Sequence, residues 1–299
     1  MDLTICADRM PKQGETMNGY DFFINPGGKG ANQAVAAAKL DAPTYMIGNV
    51  GNDMFGGLLM DSLKEYGVNV THVMEEEHIA SGVAMVFRSH GDNRIILGNG
   101  ANHTIQINNI KKSIDNIAKP EDIFLTQLEN PYEVVKEAIE YAHKKGLYTI
   151  LNPAPARNLD EHLYDVIDLL VVNQSECEML SGVYPDMKDT CEKAIAYFEE
   201  KGVQVIITLG KDGSVVKDGN EVFFITSKDV TSIDSTAAGD SYIGALCAEL
   251  SKGVRMREAL LFASDVAALC VTRRGAQVSI PYRQEVYDTF HYEREGEEK

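Results

Sequence analysis

Residues 203–209 read VQVIITL, a continuous run of β-branched residues and leucine, and residues 168–172 (DLLVV) form a second run of the same kind. Such runs, without polar alternation, are typical of parallel strands whose two faces are both covered by helices. Residues 122–126 (DIFLT) and 147–151 supply two shorter apolar runs. Together they predict an α/β fold with a mostly parallel central sheet flanked by helices.

Helical spacing marks the stretches between and after these runs. We predict helices over residues 131–145, 189–201, 237–250 and 256–272, the last two rich in alanine and leucine. Pro131 suits the start of the first helix, where its missing N–H costs nothing.

Two stretches break this alternation: the segment before Gly27 and residues 82–98. In the second, GVAMVFR and RIILG flank the turn-like residues His90, Gly91, Asp92 and Asn93, which predicts a β-hairpin. Its strands are apolar on both faces and need a cover. Either a partner subunit covers one face and a ligand the other, or the hairpin packs on its own domain.

Composition and charge narrow the class of protein. The 299 residues are 44% hydrophobic, and at ~150 residues per domain the chain makes one large or two ordinary domains. The formal charge of −17 argues against a nucleic-acid partner or an acidic membrane surface, which clustered Lys and Arg would bind. The net charge does not exclude a small anionic substrate, because a local site can be positive in a negative protein.

The five cysteines have no C-x-x-C pair and are odd in number, which predicts reduced thiols in a cytoplasmic protein rather than disulfides or a zinc site. No apolar run approaches the roughly 20 residues of a membrane span, and the first residues lack the features of a signal peptide. The charged tail, residues 293–299, is expected to fray.

The first chemical motif is NPGGKGANQA, residues 25–34, at the start of an alanine-rich helix. Three glycines in residues 27–30 permit a tight turn and let a ligand approach the backbone and the helix N–H groups. The motif matches neither a Walker A loop nor G-x-G-x-x-G. Taken alone, it is either a structural turn or a ligand loop in which Asn32 presents an amide to a hydroxylated ligand.

The second motif is DSTAAGDSY, residues 234–242. Consecutive N–H groups at residues 237–240, opening a helix, make an anion site. Asp240 either caps that helix or accepts a proton from a hydroxyl that attacks a bound phosphorus. The presence of the first motif favours the second role.

Together, GGKGANQAVAAAKL (27–40) and DSTAAGDSYIGAL (234–246) resemble the two defining motifs of the ribokinase-like sugar kinases. Further pieces resemble the ribokinase branch of that family, in order and at similar spacing: QLE (127–129), LNPAPAR (151–157), NQSE (173–176), TLGKDG (208–213) and VTRRGAQ (271–277). The fructokinase and adenosine kinase branches usually lack the stretches at 151–157 and 271–277.

The resemblance implies a Rossmann-like ribokinase fold and transfer of the γ-phosphoryl group of ATP to the 5-hydroxyl of D-ribose, with Mg²⁺. Asp240 matches the general base, and the backbone amides of Ala237, Ala238, Gly239 and Asp240 match the anion hole. The positions that match sugar contacts are Asp2, Gly28, Lys29, Gly30, Asn32, Glu129 and Asp240.

The same resemblance implies nucleotide and ion sites. Nucleotide contacts match at Asn173, Thr208, Leu209, Gly210, Lys211, Asp212, Gly213, Gly239 and Ser264. Glu176 matches a residue that acts on magnesium through water, as expected of an ion that keeps waters and phosphate oxygens. A loop for an activating potassium ion matches at Asp234, Thr236, Cys270, Arg273, Gly275 and Ser279.

The resemblance also implies one kinase domain over residues 1–299, with a β-sheet lid from about 3–26 and 81–101 that clasps a second lid in a homodimer. Family members have a strand of about ten residues before the position of Asp2. We therefore expect a central strand to be missing or shortened here, together with an Asn that contacts the sugar. Two alternatives stay open: a related kinase for fructose, deoxyribose or a nucleoside, and an inactive nucleotide-binding homologue.

Overall fold

The apolar runs at 168–172 and 203–209 form neighbouring parallel strands in a computed structural model that describes residues 1–89 and 92–292. His90 and Gly91 of the predicted turn, and the tail at 293–299, lie outside the described residues. The helices are α1 (Lys29–Lys39), α2 (Met54–Glu65), α3 (Ile107–Ile117), α4 (Tyr132–Lys144), α5 (Gln174–Ser181), α6 (Lys188–Glu200), α7 (Ala238–Leu250), α8 (Met256–Cys270) and α9 (Arg283–Phe290). The strands are β1 (Asp2–Cys6), β2 (Tyr20–Asn25), β3 (Tyr45–Gly51), β4 (Asn69–Glu76), β5 (Val83–Ser89), β6 (Asp92–Gly98), β7 (Ile123–Thr126), β8 (Tyr148–Leu151), β9 (Leu169–Asn173), β10 (Gln204–Thr208), β11 (Ser214–Asp218) and β12 (Glu221–Ile225).

The largest sheet has six strands in the order β12-β11-β10-β9-β8-β7. Strands β7 to β10 are parallel, and β11 and β12 add antiparallel partners at one end. The predicted helices are present to within two residues at each end. The α/β fold is therefore confirmed, with a mixed rather than wholly parallel sheet.

The strands of this sheet are apolar throughout because both of their faces are buried. Val171 and Ile206 pack in a core with residues of α7 and α8. Their neighbours Val172 and Ile207 point the other way, into a core shared with α4, α5 and α6. Successive residues of a strand alternate between faces, so two helical layers require a continuous apolar run.

The small sheet, of order β2-β1-β5-β6, is built from the two stretches that break the α/β alternation. Leu3, Ile24, Met85 and Ile96 are paired across its strands and form one row on one face. Three of them stay open to solvent: Ile24 is 40% exposed, Met85 47% and Ile96 62%. The row is an apolar surface that no described residue of the single chain covers.

Strands β3 and β4 form a third, two-stranded parallel sheet. Among the described residues, no strand joins it to β7 at the edge of the six-stranded sheet. A cavity of about 1270 Å³ instead has residues of both β3 and β7 in its walls. Residues 123–126 of β7 are only half-buried as a result, whereas 169–172 of β9 are fully buried. No helix within the described ranges is long and apolar enough to cross a membrane.

Candidate active site

Polar residues follow each of four neighbouring strands at the point where the strand ends. Glu129 comes after β7, Asn152 directly follows β8, Asn173 ends β9 and Thr208 ends β10. Asn173 and Thr208 are paired in the register of the sheet. Because the strands are parallel, these residues share the carboxyl edge of the sheet, where open α/β sheets bind their ligands.

The glycines of the first motif let the backbone lie against two carboxylates. A Cβ on Gly27 would collide with the carboxylate of Asp2, and Gly28 has a φ of 94°, which favours glycine. The N–H of Lys29, at the start of α1, donates to Oε2 of Glu129 at 2.9 Å. The motif thus brings Asp2 and Glu129 to the start of α1.

The two chemical motifs meet at Asp240. Asn32 Nδ2 donates to Asp240 Oδ2 at 2.9 Å, across 208 residues of sequence, and Gln33 Nε2 donates to Oδ1 at 2.9 Å. These contacts require α1 to pack closely on α7. Gly244 permits this close packing, because a Cβ at that position would collide with Ala36. The structure therefore joins the glycine-rich loop to the acidic residue of the second motif.

The carboxylates of this cavity share a low-dielectric setting. Burial raises the pKa of Asp240, while the charge of Lys29 and the two amide donors oppose the rise. Burial likewise raises the pKa of Glu129 and of Asp2, and the charge of Asp240 adds to both effects. A carboxylate with a raised pKa is a stronger base than an exposed one, which suits proton abstraction.

Three buried polar residues behind Asp240 had no assigned role in the sequence. Gln33 accepts a hydrogen bond from Gln127 and also donates to Asn152 Oδ1 at 3.3 Å. Asn152 in turn donates to the carbonyl of Val171 at 3.0 Å. The network fixes the Gln33 amide that holds Asp240. Its members fall in or beside the quoted motifs, yet nothing in the linear sequence says that they touch.

The start of α7 offers backbone donors beside this carboxylate. Ala237 is left-handed, with a φ of 61°, and the first intrahelical bond runs from Ser241 N–H to its carbonyl at 2.7 Å. The N–H groups of Gly239 and Asp240 precede that bond and have no acceptor within the helix. Ala238 N–H donates to Ser235 O at 3.2 Å. A side chain on Gly239 would meet open space, so the turn has room beside it.

Among the predicted nucleotide residues, Asn173 and residues 208–213 lie along the same sheet edge, whereas Gly239 lies in α7 and Ser264 in α8. Leu209 N–H donates to Gly213 O at 2.7 Å and closes a turn over residues 210–212. Gly213, with a φ of 98°, packs so tightly on Ile225 that only glycine fits. Lys211 and Asp212, within that turn, are exposed.

Two other predicted positions have additional structural roles. Asn173 and Glu176 form a reciprocal capping box at the start of α5, with hydrogen bonds of 2.8 and 2.9 Å. Burial raises the pKa of Glu176. Ser264 lies within α8, is 5% exposed and does not line the cavity.

Asp234 links the second motif to the loop after α8. Its Oδ1 accepts from Thr236 N–H at 3.1 Å and from the Thr236 hydroxyl at 2.6 Å. Its Oδ2 accepts from Gly275 N–H at 3.2 Å. Burial opposes ionisation of Asp234, but these hydrogen bonds and the nearby charge of Arg88 hold its pKa below the ordinary value.

The remaining residues of the predicted potassium loop lie around Cys270. Its Sγ is 3.1 Å from Ser279 Oγ and 3.9 Å from the carbonyl of Thr236. The side chain of Arg273 is directed to Glu285, to which it donates at 2.7 Å. The backbone and hydroxyl oxygens of the two loops are thus close together around one thiol.

The cavity unites the predicted sugar positions. Its walls include Asp2, Gly28, Lys29, Gly30, Asn32, Glu129 and Asp240, and they also include Asp234, Thr236, Ala237 and Gly275. Every predicted sugar contact therefore faces one space, with the start of α7 at its border.

Comparison with known proteins identifies the family of this chain. The family model described as pfkB family carbohydrate kinase matches residues 1–283. The chain belongs to the pfkB family of carbohydrate kinases. The family and the fold expected from the motifs are thereby confirmed.

Individual members of the pfkB family are similar over nearly their whole length. Ribokinase of Bacillus subtilis (strain 168) is 38% identical over 286 residues, 96% of this chain and 94% of its own. Deoxyribokinase of Salmonella typhi is 35% identical over 94% of this chain and 92% of its own. The structure of Arabidopsis thaliana ribokinase complexed with ribose and ATP superimposes with a TM-score of 0.88 at 30% identity, covering 98% of this chain and 96% of that one.

Proposed function

We propose that this chain transfers the γ-phosphoryl group of ATP to the 5-hydroxyl of D-ribose. One observation carries the proposal: the Asp240 carboxylate, held by two amides, lies at the start of α7 in a cavity that also holds Asp2 and Glu129. A base beside helix N–H groups suits a hydroxyl that loses its proton as it attacks phosphorus. Similarity to the ribokinase solved with ribose and ATP supports both substrates.

Asp240 is the general base of the proposed reaction. The sugar oxygen forms a bond to the γ-phosphorus, the bond from that phosphorus to the departing ADP oxygen breaks, and the hydroxyl proton passes to Asp240. Each carboxylate oxygen accepts one amide donor, from Asn32 or Gln33, and keeps a further lone pair for the substrate. The amides therefore orient the base without using up its acceptor capacity.

The backbone amides of residues 237–240 stabilise the charge of the transferring phosphoryl group. Gly239 and Asp240 are the most available donors, because Ala238 N–H already donates to Ser235 O. The positive end of the α7 dipole adds to their effect. Donors fixed in place before the reaction need no reorganisation as the charge develops.

Asp2 and Glu129 accept hydrogen bonds from the ribose hydroxyls. A carboxylate accepts from two adjacent hydroxyls at once, which suits a vicinal diol. Lys29 offsets part of the negative charge of Glu129 and Asp240. The backbone of Gly28 and Gly30 and the side chain of Asn32 complete the sugar site.

ATP binds along the carboxyl edge of the six-stranded sheet, at Asn173, the 208–213 turn, Gly239 and Ser264. Magnesium would supply charge neutralisation on the phosphates, held near Glu176 through water. Within residues 1–89 and 92–292, no group of three or more His, Cys, Asp or Glu side chains could hold a metal. Such a setting fits an ion that takes most of its ligands from phosphate and water.

An activating potassium ion would lie between the loop at residues 234–236 and the loop at residues 270–279. The oxygens of Thr236 and Ser279 lie close around Cys270, and the carboxylate of Asp234 bonds to Gly275 in the second loop. Arg273 would contribute its carbonyl, since its side chain is directed to Glu285. Oxygen donors from backbone and hydroxyl groups fit potassium.

Residues 1–299 act as one kinase domain, with the small sheet as a lid over the sugar. Water is then excluded as a competing phosphoryl acceptor.

The exposed row at Ile24, Met85 and Ile96 is the face that pairs two subunits into a homodimer. Light scattering should give twice the chain mass, and Ile96→Asp should give the mass of one chain. A monomeric unaltered protein would refute the pairing.

We also expect a cytoplasmic location, where ATP is available and the five free cysteines stay reduced.

The deciding experiment measures ADP release with D-ribose, deoxyribose, fructose and a nucleoside. Ribose should give the highest kcat/KM. A preference for deoxyribose would move the chain toward the Salmonella relative, and ATP binding without release of ADP under any sugar would identify an inactive homologue.

A further inference from the structure

Arg88 has no assigned role, yet it joins the small sheet to the second chemical motif. It lies near the end of β5, and its side chain, 29% exposed, borders the cavity beside Ala84 and Val86. Alternation along the strand places it on the face opposite the exposed row, which contains Met85. The guanidinium is therefore directed to the site rather than to the face proposed for pairing.

The contacts of this guanidinium cross from one sheet to another part of the fold. Arg88 Nη2 is 3.4 Å from Asp234 Oδ1, across 146 residues of sequence, and 3.3 Å from the hydroxyl of Thr236. Its Cζ lies 5.8 Å from the centre of the Phe23 ring. Arg88 Nε is buried and has no hydrogen-bond partner among the described residues. An unpaired buried N–H costs free energy, so the contacts of Nη2 and of the Phe23 ring have to offset that cost.

The residues that Arg88 contacts lie next to a backbone turn with an unfavourable conformation at Ala237. Ala237 adopts a left-handed φ of 61°, which is unfavourable for a residue other than glycine. Such a conformation persists where its surroundings over-determine it. Asp234 and Thr236 lead directly into Ala237, and Asp234 is in addition bonded to Gly275. Arg88 connects this carboxylate to the small sheet.

We propose that Arg88 is a positioning residue, which holds Asp234 and Thr236 from the small sheet and thereby sets the turn that presents the N–H groups of Gly239 and Asp240. The inference rests on the proposed function, since that turn is the anion hole. It also gives the small sheet a second role, because covering the cavity and aligning the phosphoryl site become one event. The start of α7 is then fully ordered only while the small sheet keeps Arg88 in contact with Asp234 and Thr236.

The test compares Arg88→Met, which keeps the length and removes the charge, with Arg88→Lys, which keeps the charge. Arg257→Met is the matched control, because Arg257 also faces a carboxylate, Glu221 at 3.8 Å, but lies on α8 away from the cavity. Arg88→Met should lower kcat about 10- to 100-fold, with a smaller change in the KM for the sugar. It should also release more ADP per sugar phosphate formed. Arg88→Lys should recover part of the loss, and the control should match the unaltered protein.

Two further measurements separate positioning from simple stability. Without substrates, amide hydrogen exchange at residues 234–240 should quicken in Arg88→Met and not in the control. Adding Asp234→Asn to Arg88→Met should cost less than the two single losses combined, because both changes act through one contact. Unchanged kcat and exchange in a folded Arg88→Met protein, or fully additive losses, would overturn the proposal. Failure of the unaltered protein to phosphorylate any sugar would refute the proposed function instead, and the exchange result would still judge Arg88.

Discussion

The six-stranded sheet and the small sheet contain the same kinds of apolar residue, but in opposite environments. Ile206 and Ile207 of β10 are completely buried between two helical layers, whereas Ile96 of β6 is 62% exposed and Met85 of β5 is 47% exposed. Apolar residues enclosed on both faces stabilise a fold, but an exposed apolar row stabilises nothing until something covers it. The first sheet therefore supplies the scaffold, and the second presents an exposed apolar surface, the one proposed to pair two subunits.

The proposed active site lies between these two regions and includes residues of both. Asp240 and Glu129 are positioned by elements anchored to the six-stranded sheet, while Asp2 and Arg88 come from the small sheet. Substitutions in the scaffold should mainly change the free energy of unfolding. Substitutions at the junction should mainly change turnover.

The largest expected effect separates chemistry from stability altogether. Asp240→Asn keeps the shape of the side chain and removes the base, so kcat for ribose should fall about 10²- to 10⁴-fold. ATP should still bind, and the protein should stay folded, although the asparagine NH2 group cannot accept one of the two amide hydrogen bonds. ADP release and calorimetric titration with ATP measure the two quantities. Turnover near the original rate would show that Asp240 is not the base, and that substitutions between the two sheets do not mainly change turnover.

A matched pair of isoleucines tests the contrast between the sheets directly. Ile207→Ala should lower the free energy of unfolding by about 2–5 kcal/mol, because it leaves a cavity in a packed core. Ile96→Ala should cost about 0.5 kcal/mol or less at low protein concentration, since its side chain is exposed. Urea titration measures both. An Ile96 cost that grows with concentration would come from assembly through the small sheet, whereas equal costs at every concentration would contradict the comparison.

The polar network behind the base should show an intermediate effect. Gln33→Leu removes one amide from Asp240 and takes away the hydrogen bonds that Gln33 makes with Gln127 and Asn152. The free energy of unfolding should fall by about 1–3 kcal/mol. In addition kcat should fall, because the carboxylate loses part of its orientation. Substitution of Gln284, which bonds to Asp288 on the surface of α9, serves as the control. A loss of stability without any change in kcat would restrict Gln33 to the scaffold.

The smallest expected effect is a displacement along the pH axis. Asp240 acts in its ionised form, so kcat/KM should fall as the pH drops through the pKa of Asp240. This acidic limb of the pH profile should lie at higher pH than the pKa of an ordinary aspartate, because burial raises the pKa of Asp240. Lys29 opposes the rise, so Lys29→Met should move the limb to still higher pH. A pH profile of ribose phosphorylation measures both. A limb that moves to lower pH in Lys29→Met would contradict the electrostatic description.

Much of the architecture could be predicted from short-range patterns. The runs at 168–172 and 203–209 became adjacent parallel strands because continuous apolar character is tolerated only where both faces are covered. The two glycine-containing motifs were predicted to serve one site, and Asn32 and Asp240 do meet. Their composition already limited them to tight turns that open helices.

The Gln33 network and the Arg88 contact could not be found in this way. The contact of Gln33 with Asp240 spans 207 positions of sequence and that of Arg88 with Asp234 spans 146. Both depend on how elements pack: α1 on α7 through Gly244, and β5 against the 234–237 turn. Likewise, the open space between β3 and β7 follows from which strands pair. The amino-acid sequence by itself determined the elements and the residue types that carry the chemistry, because propensity and hydrophobic period act locally. Only the tertiary structure decided which polar groups hold Asp240 and Asp234, because a hydrogen bond depends on distances of about 3 Å that no local pattern encodes.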